Sequence, residues 1–96
     1  MLLINRENLP ILFRTVLRRC QLSERGVPTE AFDATEAYVA GMCHTLRLTV
    51  LETDEQAKVS YLQLTDAGRT VVAALERGAP LERALGLPGI VFHRDL

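Results

Sequence analysis

Ser60-Tyr61-Leu62-Gln63-Leu64-Thr65-Asp66-Ala67-Gly68-Arg69 is the stretch whose reading decides the fold. Alternating apolar residues run into Thr65, and a helical pattern starts directly after it, so the segment reads as a strand ending in a helix cap. A Thr side chain can accept a hydrogen bond from the free N–H groups of a helix's first turn. Asp66 places negative charge near the positive end of the helix dipole. Gly68, one turn in, has no side chain, which lets another element pack closely there.

Upstream of this junction the pattern is mostly helical. Leu9, Leu12, Phe13, Val16, Leu17 and Cys20 recur with the spacing of one buried helical stripe, which predicts a helix over 8–22 capped by Asn8, with Pro10 tolerated in the first turn. Gly26 and Pro28 break the chain, and 29–32 suits one short helical turn. Asp33 reads as a new N-cap with Glu36 three residues on, the pattern of a capping box. The helix this starts, 34–46, places Tyr38, Met42 and Leu46 on its inner face with Val39 and Cys43 beside them. Glu36, Ala37, Ala40, Gly41, His44 and Arg47 fall nearer the solvent. After Leu46 the period changes. Segments 47–51 and 59–64, rich in β-branched, aromatic and aliphatic residues, flank the polar turn 53–58 and predict an antiparallel hairpin.

Downstream, a helix over 66–77 has Ala67, Val71, Ala74 and Leu75 inward and Gly78 placed to end it. Pro80 can start a further short helix with Leu81, Ala84 and Leu85 inward, and Gly86 can end it. Leu87-Pro88-Gly89 reads as a turn. Ile90-Val91-Phe92 is a small apolar segment that suits the domain's own core or a homodimer contact, with an added interaction strand as the alternative. The expected class is α+β, mostly helical, as a single domain over 1–96, with a core over 8–77 and a C-terminal extension over 78–96.

The order of helix, short helical turn, helix, hairpin, helix, together with Tyr61 to Arg69, resembles the winged helix-turn-helix superfamily. Many bacterial regulators of that group have a wing strand ending in Leu-Thr, two residues, Gly, and then an amphipathic helix. The resemblance implies that 34–46 is the helix that enters a DNA major groove and that 47–64 is a wing touching the backbone or minor groove. It therefore implies a DNA-binding domain whose contacts come from Thr35, His44, Arg47 and Lys58.

Charge bears on that implication. The 96 residues carry 11 Lys and Arg against 12 Asp and Glu, a formal net charge of −1. Residues 1–25 hold five Arg against Glu7 and Glu24, whereas 28–57 hold six acids against Arg47 alone. DNA binding draws most of its nonspecific affinity from cations at the phosphates, yet Glu36 stands near the start of the second helix and Asp54 and Glu55 stand at the wing tip. Capping explains Asp33 and Glu36, and a solvated turn explains Asp54 and Glu55, but the repulsion remains in both cases. Glu36, Asp54 and Glu55 form a candidate acidic surface for a protein partner with a basic surface. Arg14 and Arg18, on the first helix with Arg19, read first as a solvated face and second as a patch for phosphate or an acidic partner.

Two functions follow from the sequence. One is a small non-enzymatic regulatory protein, an inhibitor or adaptor of phage or mobile-element type, that binds a protein, such as a member of a nucleic-acid-binding complex. The other is a sequence-specific DNA-binding transcription regulator, acting as a homodimer. Charge favours the first. Catalysis finds no support: adjacent side chains at Cys43 and His44 diverge by about 100° on a helix, and Cys20, Cys43, His44 and His93 lack the close-paired spacing of a zinc site. No cofactor is expected. The two cysteines read as reduced, buried hydrophobes. Apolar runs of three or four residues are too short to span a membrane, and the expected location is the cytoplasm.

Overall fold

A computed structural model describes residues 4–87. It is an α+β fold whose elements run α1 (Leu9–Leu22), β1 (Val27–Pro28), a 3-10 turn (Thr29–Ala31), α2 (Ala34–Thr45), β2 (Thr49–Asp54), β3 (Val59–Leu64), α3 (Asp66–Glu76) and α4 (Leu81–Gly86). The strands form one antiparallel sheet in the order β1-β3-β2. The expected segments 88–89 and Ile90-Val91-Phe92, and His93, lie outside the described residues.

The junction at Thr65 is built as its chemistry predicts. Thr65 Oγ1 accepts from Gly68 N–H at 3.1 Å and donates to the Arg47 carbonyl at 2.9 Å. It thus joins the start of α3 to the chain leaving α2. Thr65→Ala removes both bonds, and we expect a loss of about 1–2 kcal/mol in a urea titration. The Asp33 cap is also present as a full capping box. Asp33 Oδ1 accepts from Glu36 N–H at 2.8 Å, and Glu36 Oε1 accepts from Asp33 N–H at 3.1 Å.

Asn8 behaves otherwise. It precedes α1 but makes no side-chain cap, and its Oδ1 accepts from Asn5 N–H at 2.7 Å. The physical reason is backbone conformation: Asn8 is already helical and Leu9 N–H bonds to the Asn5 carbonyl at 3.0 Å, so Asn8 does not take the extended form of a capping residue.

The core collects Phe13, Val16, Leu17 and Cys20 of α1, Val39, Ala40 and Cys43 of α2, Leu48, Leu62, and Val71, Val72, Ala74 and Leu75 of α3, with Ala84 and Leu85 of α4. Leu9 and Leu12 of α1 and Leu81 of α4 are partly buried against it. The stripe of α2 is rotated from its expected phase. Tyr38 is 55% exposed, whereas Ala40 is buried beside Val39 and Cys43, and Met42 and Leu46 are only partly covered. Because α2 carries apolar residues on all sides, its pattern has no polar face to fix the phase, and packing against α1 decides it.

Strand β2 begins two residues later than the expected 47, because Arg47 and Leu48 finish α2 instead. Leu48 N–H donates to the Cys43 carbonyl at 2.9 Å, and Arg47 N–H to the His44 carbonyl at 3.0 Å. These two bonds, with Arg47 in left-handed backbone at φ 63°, make a Schellman turn. The same segment carries the α3 contact, since Leu48 O accepts from Thr65 N–H at 3.0 Å.

Strand β1 was not expected from the sequence. Val27 lies opposite Leu62 and Pro28 opposite Tyr61. Proline is tolerated there because β1 is an edge strand.

Candidate interaction surface

The surface that the sequence singles out lies on α2 and on the β2–β3 hairpin. Two of its three acids, Glu36 and Asp54, are held from within the molecule. Glu36, besides closing the capping box, accepts from Arg19 Nη1 of α1 at 3.0 Å. Arg19 also donates to the Ala31 carbonyl at 3.3 Å and lies 4.8 Å from the centre of the Phe32 ring. It therefore ties α1 to the turn that leads into α2.

Asp54 plays the equivalent part on the hairpin. Its Oδ1 accepts from Gln56 and Ala57 N–H, each at 3.1 Å, and shapes the loop. Its Oδ2 meets Arg25 Nη2 at 2.6 Å, and the Arg25 guanidinium lies 4.4 Å over the Tyr61 ring. The Ala57 N–H first, and then Arg25, hold the Asp54 carboxyl below its ordinary value. A depressed carboxyl contributes stability that is present at neutral pH and is lost as pH falls through its folded value. Exposure keeps that contribution small.

Folding thus closes part of the charge split along the sequence: Arg19 and Arg25 pair with Glu36 and Asp54 of the middle. Glu36 and Asp54 engage different arginines. Glu52 accepts from Gln63 Nε2 at 2.9 Å. Glu55 is exposed in the loop. Of the α1 arginines, Arg18 pairs with Glu76 of α3, and Arg14 lines the same open depression as that pair.

The candidate contact residues Thr35, His44, Arg47 and Lys58 spread over the same two elements. Thr35 is half-buried in the first turn of α2, and His44 is exposed in its last turn. Arg47 and Lys58 are exposed and share a backbone property. They are the two described non-glycine residues with positive φ, at 63° and 59°. Left-handed backbone costs an L-residue roughly 1–2 kcal/mol.

What the charge-led reading of the sequence missed is how apolar this surface is. Tyr38, Val50 and Leu51 are each about half exposed. A shallow cleft of about 200 Å³ runs between α2 and β2, lined by Phe32, Ala37, Gly41, His44, Leu51 and Leu62. This is below the roughly 300 Å³ at which drug-sized ligand pockets begin. The signal was present in the sequence: α2 reads Ala-Thr-Glu-Ala-Tyr-Val-Ala-Gly-Met-Cys-His-Thr, with no cation until Arg47 beyond its end. Gly41 lies open on this face, where an added Cβ would meet nothing within 4 Å. Gly41→Ala is expected to stabilise the fold by about 0.5–1 kcal/mol through helix propensity, read as a rise in Tm.

Burial pushes the Cys20 thiol up to about 11 and the Cys43 thiol up to about 12. Both are free and buried, and such thiols are poor nucleophiles and metal ligands at neutral pH. Among the described residues, no group of three or more His, Cys, Asp or Glu is placed to hold a metal ion. No described helix is long and apolar enough to cross a membrane. Compared with family models, curated proteins and solved structures, the chain matches none.

Proposed function

We propose that this chain is a non-enzymatic regulatory protein that uses a winged helix-turn-helix scaffold to bind another protein, as an inhibitor or adaptor. The observation that supports this best is the outer face of α2. Ala37, Tyr38, Gly41 and Met42 offer small and apolar surface, and the acid at the helix start is already paired with Arg19. A helix reading DNA bases commonly uses Arg, Lys, Asn or Gln, and α2 contains none of them. A helix docking on a protein needs small residues that admit a partner closely and an aromatic anchor, which Gly41 and Tyr38 supply. With Glu36 and Asp54 compensated internally, the partner is selected by shape and apolar contact more than by opposite charge.

One observation favours the alternative, a DNA-binding transcription regulator. Arg47 and Lys58, the cations at the two ends of β2, keep a left-handed backbone that glycine would adopt with less strain. Strain of this kind persists where a side chain is needed for function.

Fluorescence anisotropy with random duplex DNA at low and physiological salt separates the two readings. The protein-binding reading expects no saturable binding. It also expects a protein cross-linked to the wild-type chain to be lost with Tyr38→Ala and Gly41→Glu and kept with Lys58→Ala. A saturable isotherm with a steep salt slope, abolished by Arg47→Ala or Lys58→Ala, would overturn it.

A further inference from the structure

We infer that the polar cavity between the end of α1 and the start of α3 binds a free α-amino acid with a short, uncharged polar side chain. The cavity measures about 340 Å³, inside the roughly 300–1,000 Å³ range of small-molecule sites. Its residues come from two places of opposite charge. The last turn of α1 and the chain just after it supply Gln21, Ser23 and Glu24. The first turn of α3 supplies Arg69. Gly26, where the chain crosses β3, and Gln63 of β3 complete the lining.

Both charges are available to a ligand. Glu24 is exposed and takes part in no hydrogen bond or ion pair among the described residues. Arg69 makes only long contacts. Its Nη1 donates to the Leu64 carbonyl at 3.4 Å, and its Nη2 lies 3.7 Å from a fully exposed Asp66 carboxylate. Most of its N–H donors are left unused. Glu24 and Arg69 line one cavity without pairing with each other, so a molecule between them can meet both.

The occupant follows from this polarity. A helix C-terminus favours a cation and a helix N-terminus favours an anion, so the backbone at each end acts in the same sense as the side chain there. A plain anion such as phosphate would gain Arg69 but meet Glu24, and a plain cation would meet Arg69. A zwitterion satisfies both, its ammonium toward Glu24 and its carboxylate toward Arg69 as a charge-assisted, fork-shaped contact. The rest of the lining is polar without charge. Gln21, Ser23 and Gln63 Oε1 have no side-chain partner among the described residues. Burial holds the Cys20 thiol at about 11, so it adds no charge at neutral pH. These groups suit an uncharged polar side chain, and a volume near the lower end of the range keeps it short.

The test is an NMR titration of the full chain with a mixture of L-serine, L-asparagine and L-glutamine, each taken to about 20 mM. Saturable shifts are expected at the amides of Gly26, Gln63 and Arg69. The N-acetylated and the C-amidated forms of the same three amino acids should each bind about tenfold more weakly or worse. E24Q should lose the preference for a free amine and keep that for a free carboxylate, and R69Q the reverse. Circular dichroism confirms that both variants are folded. Absence of saturable shifts with the mixture overturns the proposal, as do blocked forms that bind like the free amino acids or variants that keep both preferences. Inorganic phosphate shifting these amides more strongly than the amino acids would make this an anion site and overturn it too. None of these outcomes measures what the α2 face binds.

Discussion

Gly68→Ala is expected to be the most damaging single-methyl change in the protein, costing about 3 kcal/mol or more. The helix α3 approaches the end of α2 so closely that a Cβ at position 68 would overlap the Leu48 carbonyl oxygen and lie 2.7 Å from Leu64 Cδ1. A flexible side chain such as Leu64 can turn aside. The Leu48 carbonyl cannot, because it accepts the Thr65 N–H and follows directly on the Schellman turn of α2. Relief therefore requires α3 to move away from its seat. That movement strains the Thr65 cap, whose Oγ1 spans the same gap to Arg47. It also loosens Val71, Val72 and Leu75, which bury α3 against the rest of the core.

The measurement is a urea unfolding curve, and the helix-propensity gain from Gly to Ala, about 1 kcal/mol, makes the test sharper. At Gly41 that gain is expected to appear as stabilisation, because the space is open. At Gly68 it must be overwhelmed. If both variants melted alike, the close approach at Leu48 would not be present in solution.

The contrast between these glycines shows what was legible in the sequence. The spacing of Thr65 and Gly68 pointed to a cap and a close contact, and both are local or one-sided readings that a single segment can carry. The Asp33–Glu36 box is local in the same way. The phase of α2 was not legible, because Tyr38, Val39 and Ala40 are all apolar enough to face inward and only the position of α1 decides among them. The charge pattern was legible as composition, but its long-range pairs were not. Arg19 and Glu36 are 17 residues apart, Arg25 and Asp54 29 apart, and no local spacing announces such pairs. The exposed apolar side chains Val50 and Leu51 were readable as strand residues. That one edge of their sheet would be left open depended on where β1 attached.

β1 attaches through Gly26, and this leads to the second large effect. Gly26→Ala is expected to destabilise the fold by about 2–4 kcal/mol. Gly26 has φ 103°, a backbone conformation that an L side chain rarely adopts. Its missing side chain also matters for space: a Cβ there would lie 2.7 Å from the Leu62 carbonyl oxygen and 2.8 Å from Gln63 Cγ. The chain must pass this close to β3 because Val27 and Pro28 pair with Leu62 and Tyr61 directly afterwards. Gln63 fastens the same crossing by donating to the Arg25 carbonyl at 2.9 Å. A methyl group at 26 forces the crossing open, so the damage should spread to both neighbours of the glycine. On one side the Arg25 guanidinium leaves Tyr61 and Asp54, and on the other Val27, 3% exposed, leaves the core. Hydrogen exchange would locate this: Gly26→Ala is expected to raise exchange in β1 and in the β2–β3 loop held by Asp54, while the amides of α3 follow the global loss alone. Faster exchange confined to α3, with β1 still protected, would mean that the crossing at Gly26 does not hold the hairpin in place.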